Sequence, residues 1–248
     1  MSNIVKKAIG VLKSPKKRMI ILAQRGFFKN MSDEKFLKMQ FKNVFGHPLD
    51  LDNPKTYSEK LQWLKLYDRK SEYTMMVDKY EVKKYVACKI GEEHIIKTLG
   101  VWDHFDDIDF AQLPNQFVLK CTHDSGGLVI CTDKSKLDLA AAKKKIEKSL
   151  KNDYYMQNRE WPYKNVKRRI IAEEYMVDES GYELKDYKIF AFDGEAKAMF
   201  IASDRTNPNE ETKFDFFDMD FNHLPFTNGH PNSKEWEKIK RPKGLEEM

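Results

Sequence analysis

The sequence is poor in cysteine, proline and glycine and has no long apolar run. There are three cysteines in 248 residues, Cys88, Cys121 and Cys131, and their spacing fits neither a CxxC pair nor a zinc pattern. That count excludes a disulfide scaffold and points to a reduced, cytoplasmic setting. No stretch approaches the ~20 apolar residues that a bilayer-spanning helix needs. The N-terminus has basic residues but no clean apolar run before a small-residue cleavage site, so no signal peptide is expected. Nine prolines and eleven glycines are too few for a low-complexity or linker-like chain. There is no internal repeat. Acidic residues are missing from one place only. Residues 1–30 carry eight basic side chains, Lys6, Lys7, Lys13, Lys16, Lys17, Arg18, Arg25 and Lys29, and no acidic one. The whole chain carries +5, so taking away those eight leaves −3 for the rest. The bulk is therefore not a nucleic-acid binder by charge.

What is present is an ordered series of helix and strand signals with 12% aromatic residues to fill a core. In residues 4–28 apolar positions alternate with the lysines, and Pro15 divides the segment into two short helices. Two readings stand for this arm: attachment to an anionic membrane surface, or packing on its own domain. Ser32-Asp33-Glu34 starts a helix whose apolar face is Leu37, Phe41, Val44 and Phe45, ended by Gly46 and Pro48. Further helices are expected over 58–67, from Asp78 to Ala87, and over 137–150, the last with a lysine run read as a solvated face. Strands are expected near 94–98, 116–121, 128–132, 169–176, 185–192, 196–203 and 213–217. The class is α+β: antiparallel sheets with flanking helices, a basic helical N-terminal arm, and a C-terminal core that is incomplete within the chain. The expected divisions are an arm over 1–50, a helical part over 51–115, a small subdomain over 116–178 and the start of a further core over 179–248.

The richest segment is Phe117-Val118-Leu119-Lys120, followed by Cys121-Thr122-His123-Asp124-Ser125-Gly126-Gly127 and the return run Leu128-Val129. Two strands joined by a glycine turn can curl backbone N–H groups around a phosphate, and a lysine at the strand end adds a point charge. An ordinary hairpin with a surface lysine fits the same segment. Upstream, Lys79 stands just inside a helix start, where it serves either as a second cation or as a surface lysine. Downstream, Ile170-Ile171-Ala172-Glu173-Glu174-Tyr175-Met176 is an apolar strand ending in a glutamate pair. Asp186 and Lys188 lie two apart on a strand and so share a face. Arg205 follows the next strand, and Asp215, Asp218 and Asp220 form an acidic loop without calcium-loop spacing.

In this order the motifs resemble the ATP-grasp superfamily. With Asn53-Pro54-Lys55-Thr56-Tyr57-Ser58-Glu59-Lys60-Leu61-Gln62-Trp63, the chain looks like its TupA-like branch, associated with teichuronic acid and other cell-surface polysaccharides. The resemblance covers residues 40–248. It implies ATP and Mg²⁺ as cofactors. Lys79, Lys120 and the turn Ser125, Gly126 and Gly127 would hold phosphates, and Glu173, Glu174, Tyr175 and Met176 would form the adenine hinge. Asp186 would contact ribose or phosphate, and Lys188 and Arg205 would act on the γ-phosphate and a substrate carboxylate. The implied activity is ATP-dependent carboxylate–amine ligation through an acyl phosphate. The implied partners are a nucleotide and a carboxylate sugar or amino acid, with an anionic membrane surface for the arm. Two other readings stay open: a glycosyltransferase, for which Asp218-Met219-Asp220 is the one Asp-x-Asp, and a catalytically incomplete nucleotide-binding protein. ATP-grasp ligases carry Mg²⁺ ligands near the C-terminus as an acidic residue on one strand and a Glu-x-Asn pair on the next. Gly244-Leu245-Glu246-Glu247-Met248 reads instead as a helix start. These 248 residues are therefore expected to hold ATP and turn over little, unless Asp186 or the 215–220 loop takes the metal.

Overall fold

The computed structural model describes residues 14–178, 181, 184–205 and 210–247. It divides into two compact units, one ending at Tyr175 and the other beginning at Met176.

The first unit opens with helices. α1 is Pro15–Gln24 and α2 is Asp33–Phe45. Pro15, read from sequence as a break, is the first residue of α1, where its missing N–H and fixed φ cost nothing. The reading of two helices falls partly on residues 1–13, outside the described residues. Met19 and Ala23 of α1 are buried with Phe36, Leu37 and Phe41 of α2 and with Leu49 and Leu51. The described part of the arm therefore packs on its own unit. Ser32 Oγ accepts the Lys35 N–H to start α2, and Gly46, at φ 78°, ends it. α3 is Tyr57–Tyr67, begun by a capping box: Thr56 Oγ1 accepts the Glu59 N–H, and Glu59 Oε2 accepts the Thr56 N–H at 2.9 Å. α4 is Glu72–Val77 and α5 is Glu81–Ile90. Asp78 Oδ1 accepts the amide of Tyr80 at 2.9 Å, just ahead of α5.

The first sheet has the order β1-β4-β2-β3, with β1 Thr98–Trp102, β2 Phe117–Cys121, β3 Leu128–Cys131 and β4 Ile170–Glu174, all antiparallel. α6 is Leu139–Leu150 and α7 is Tyr155–Asn158. Residues 94–98, expected as strand, are mostly a 3₁₀ turn (Glu92–His94) and its exit; the strand begins at Thr98. Pairing decides this, because Thr98 to Trp102 lie opposite Glu173 to Ile170, and the Lys97 carbonyl, which accepts the Glu174 N–H at 3.1 Å, meets the last residue of β4. Alternation then gives the sheet two faces. Phe117, Leu119, Cys121, Ile170, Ala172 and Cys131 form a core with Ala142 and Ile146 of α6. Fully burying each large apolar side chain contributes ~1.5–3 kcal/mol. Val118, Lys120, Ile171 and Glu173 stand on the other face.

The second unit is a meander, β5 Asp186–Phe192, β6 Glu195–Ser203, β7 Lys213–Asp218 and β8 His223–Leu224. The turn between β5 and β6 holds Asp193 and Gly194 at φ 51° and 83°, the left-handed pair that a two-residue hairpin requires. Met199, Ile201, Phe217 and Leu245 make its core. Residues 245–247 are a 3₁₀ turn. The α+β class and antiparallel sheets expected from sequence are those of the structure. Among the described residues no helix is long and apolar enough to cross a membrane.

Candidate functional site

The functional side chains of the first unit converge on the sheet face opposite its core. Glu173 is buried in the central strand β4. Its Oε1 lies 2.6 Å from Lys83 Nζ, and its Oε2 is ion-paired with Lys120 Nζ. Lys120 reaches it diagonally: Lys120 is opposite Ile171 in register and Val118 is opposite Glu173. Lys83 comes from the first turn of α5 and also donates to the Ile96 carbonyl at 2.5 Å. Burial pushes the Glu173 carboxyl up, but the hydrogen bonds from Lys120 and Lys83 outweigh this and hold it below its ordinary value of 4.5. Glu173 is therefore ionised at neutral pH, and the group has two ammoniums to one carboxylate.

The glycine turn sits beside this group and is anchored at its base. Lys79 Nζ donates to the carbonyls of Cys121, at 3.2 Å, and Asp124. The Lys79 N–H donates to the Thr122 carbonyl at 3.1 Å. Burial lowers the Lys79 pKa; Lys120 adds to this and Asp124 opposes it. Lys79 thus braces the turn while adding to the local positive charge. On the other side the Asp124 carboxylate accepts from Ser149 Oγ, and His123 Nε2 lies 3.1 Å from the Asn152 carbonyl. Burial lowers the His123 pKa, which favours the neutral ring at pH 7. The turn's two glycines meet different needs. Gly126 is exposed and takes φ 93°, a conformation that costs ~1–2 kcal/mol with a side chain. Gly127 is buried, and a Cβ there would lie 1.8 Å from Ser149 Oγ and 2.8 Å from Asp124 Oδ2. Ser125 and Gly126 are left at the exposed tip. Cys121, next to the turn, is pushed by burial to about 11 and is a packing thiol rather than a nucleophile.

A second layer ties the three segments together. Arg169, just before β4, donates from Nη2 to Asp78 Oδ2 at 2.9 Å and Glu81 Oε1 at 2.8 Å, with its guanidinium 4.9 Å from the Tyr80 ring centroid. Thr122 accepts the Arg169 N–H on Oγ1, donates its own N–H to the Arg169 carbonyl, and donates from Oγ1 to the Lys167 carbonyl at 2.8 Å. The start of α5, the turn and β4 are thereby clamped to one another.

The structure thus brings Lys79, Lys120, Gly127 and Glu173 into one place. Glu174 points to the other face of β4, half-exposed and 3.8 Å from Lys97. Tyr175 closes the first unit and Met176 opens the second. Asp186, Lys188 and Arg205 lie together in the second unit, where the Asp186 carboxylate pairs with Arg205 and lies 3.2 Å from Lys188 Nζ. The two positive groups expected at phosphate and carboxylate are there partnered with an aspartate of their own sheet. Asp218, of the Asp-x-Asp, accepts the N–H and Nδ2–H of Asn222 at 2.8 and 2.9 Å in a turn. Lys83 and Arg169 are not singled out by sequence, and Asp78 reads there only as the start of a helix; its Oδ1 accepts the Tyr80 N–H. Sequence gives Lys83 no signal beyond its nearness to Lys79, which lies in the turn before α5 rather than on the helix.

The model of the TupA-like ATPgrasp family matches residues 59–248. The chain belongs to that family. Neither a curated protein nor a solved structure matches it. Membership in the TupA-like ATPgrasp family points to ATP-dependent, ligase-type chemistry, and ATP-grasp proteins generally use ATP with Mg²⁺. A triphosphate fits the residues present: two ammoniums, Lys83 and Lys120, share the single carboxylate of Glu173, beside a turn whose tip, Ser125 and Gly126, is exposed. For Mg²⁺, no group of three or more His, Cys, Asp or Glu side chains able to hold a metal occurs among the described residues, and no residue is assigned to it.

Two outcomes follow from this geometry. Gly127→Ala should destabilise the protein by ~1–3 kcal/mol through overpacking against Ser149, and by distinctly less in a Ser149→Gly background, which removes both the Oγ at 1.8 Å and the Cβ at 2.5 Å. Urea unfolding of the four proteins checks this; equal losses in both backgrounds would contradict it. Glu173, with its pKa lowered on folding, contributes stability above the ordinary carboxyl value of 4.5, and that stability is lost as pH falls through the lower folded value. The stability gap between wild type and Glu173→Gln should therefore be wide at pH 7 and narrow below pH ~4. Denaturation midpoints from pH 7 to 3 measure it; a constant gap would refute the assignment.

Proposed function

We propose that the protein is an ATP-dependent carboxylate–amine ligase of cell-surface polysaccharide assembly, working through an acyl phosphate. The observation that carries this reading is the Lys83–Glu173–Lys120 group beside the braced glycine turn, in a chain of the TupA-like ATPgrasp family. ATP supplies the phosphoryl group that makes a carboxylate an acyl phosphate, which an amine then converts to an amide with release of phosphate. The chain's own residues bind and neutralise. Lys120, a third exposed at its side chain, is the cation placed to turn from Glu173 toward a phosphate. Lys83, more deeply buried, keeps the carboxylate ionised when Lys120 leaves it. Ser125 and Gly126 offer backbone N–H groups at the turn tip, held still by Lys79 below. Positioning and charge neutralisation of this kind are the protein's main share of phosphoryl transfer. Val118, Leu128 and Ile130 provide an apolar platform on the same face for an adenine ring, while Ile171 beside them is fully buried. The substrate is a hexuronic acid or amino acid, in keeping with the polysaccharide association of the family resemblance. In the second unit, Arg205 is the guanidinium suited to a substrate carboxylate; here its Nη1 pairs with Asp186 Oδ2.

Removing the Lys120 ammonium should cost a charge-assisted contact of ~1.5–3 kcal/mol, so Lys120→Ala should bind ATP at least about tenfold more weakly by calorimetry. GTP should bind wild type more weakly than ATP, because the donor and acceptor at the base edge are exchanged. Hydroxylamine should trap a hydroxamate when ATP and the right hexuronic or amino acid are present. Equal ATP affinity of Lys120→Ala and wild type would refute the phosphate assignment. Hydrolysis of a nucleotide sugar, without hydroxamate from any carboxylate, would favour a glycosyltransferase instead.

A further inference from the structure

The family match begins at residue 59, yet the helices ahead of it are tied to the glycine turn by one short segment. Residues 149–159 run from the last turn of α6 through α7. One end of this segment holds the turn. Ser149 Oγ donates to the Asp124 carboxylate, and the Asn152 carbonyl lies 3.1 Å from His123 Nε2. The other end is gripped by the N-terminal helices. The Tyr155 hydroxyl donates to Asp33 Oδ1, on the first residue of α2. Arg159 Nη2 donates to the Phe28 carbonyl at 2.6 Å, and its Nε lies 3.4 Å from Asp33 Oδ1. Gln40 Nε2, from the middle of α2, donates to Asn158 Oδ1 at 3.0 Å.

The grip at the far end is costly to build, which sets it apart from incidental packing. Arg159 is 1% exposed, with its guanidinium 4.6 Å from the Phe36 ring centroid and 5.4 Å from that of Tyr155. A charge buried so deeply needs a partner, and Asp33 supplies it while also taking Arg69 Nη2 at 2.8 Å. The Arg159 backbone takes φ 53°, a left-handed conformation that costs a residue with a side chain ~1–2 kcal/mol and persists only where its surroundings fix it. The segment between the two ends has little slack. Its N–H groups at Lys151, Asn152, Met156 and Arg159 donate to the carbonyls of Glu147, Ser149, Asp153 and Tyr155 in turn. A shift at Asp33 is therefore passed along the backbone rather than absorbed. Lys79 and Thr122 hold the turn from the side of α5 and β4, so residues 149–152 are its support on the Asp124 side.

We propose that residues 149–159 are a strut through which α1 and α2 set the position of the glycine turn, with Asp33, Tyr155 and Arg159 as positioning residues. The strut stands independently of the nucleotide reading, while its effect on ATP affinity rests on that reading.

His123, at the turn end of the strut, serves as the reporter. Burial holds its pKa below the ordinary 6.5, with Arg168 and Lys79 adding to the lowering and Asp124 opposing it. Its titration in the full chain is followed by NMR of the ring protons. Tyr155→Phe removes one hydroxyl bond at the far end, and Asp33→Asn removes the charge there. Each should loosen the turn and raise the His123 midpoint by at least about 0.3 unit, a twofold change in proton affinity. Loss of the Asp33 charge would by itself move the midpoint down, so a rise reports burial. Should Asp33→Asn fail to fold, Tyr155→Phe decides. Leu49→Ala, which opens the same helical core without removing any of these bonds, should leave the midpoint in place. ATP affinity by calorimetry should fall at least about threefold in Tyr155→Phe, because the turn is no longer held for the phosphates. An unmoved midpoint in Tyr155→Phe, or an equal rise in Leu49→Ala, would overturn the strut. Should wild type bind no ATP, the nucleotide reading falls and the His123 midpoint still decides the strut. Should Lys120→Ala weaken ATP binding while Tyr155→Phe moves neither midpoint nor affinity, the strut falls alone.

Discussion

One buried carboxylate, Glu173, is the constraint on which the site depends. A glutamate in the central strand of a sheet is tolerated only if the lost hydration is replaced, since an unpaired buried charge costs several kcal/mol. Lys83 and Lys120 supply that replacement from a helix and a neighbouring strand. The result is a site with a surplus of positive charge that is already ordered before a ligand arrives. Ordered cations do not have to be collected from solvent when a polyanion binds, and preorganisation of this kind is what electrostatic catalysis requires.

The surroundings of Glu173 serve to keep its partners in place. Lys83 stands where it does because α5 starts where it does, and Asp78 sets that start through Oδ1 while its Oδ2 takes Arg169. Arg169 is two residues from Ile171 on the same chain that delivers Glu173. A displacement of α5 is therefore resisted by the strand it serves. The glycine turn is fixed from two sides, by Lys79 on its carbonyls and by Ser149 and Asn152 at the end of α6. The backbone freedom that the two glycines suggest is narrowed to the tip at Ser125 and Gly126. Gly127 belongs to the packing beneath.

Much of the fold was legible because the strands alternate cleanly and the helices carry their caps. Phe117-Val118-Leu119-Lys120-Cys121 reads as a strand with one apolar face, and that face is the core. Ser32 and Gly46 bound α2 as their residue types imply. The strand at Thr98 was read four residues early, because an apolar run shows that a strand is near while only the pairing partner fixes its register. Lys79, Lys120 and Glu173 were each visible as members of separate motifs, and the structure places them together. Their division of labour was not visible. That Lys79 braces carbonyls while Lys83 holds the carboxylate depends on how α5 packs against β4, and a sequence separation of ninety residues gives no local sign of it. Arg169 read as the first residue of a strand for the same reason: its acidic partners Asp78 and Glu81 lie 91 and 88 residues earlier in the chain.

The account stands on the coupling between Glu173 and its lysines, and a double-mutant cycle measures that directly. Unfolding free energies of wild type, Lys83→Met, Glu173→Gln and the double variant at pH 7 give the interaction energy. A coupling of about 1.5 kcal/mol or more is predicted, with the double variant less destabilised than the sum of the singles, because removing both charges leaves no orphan of that pair. Additive losses, within about 0.5 kcal/mol, would mean that the ion pair does not hold the site and would contradict the account.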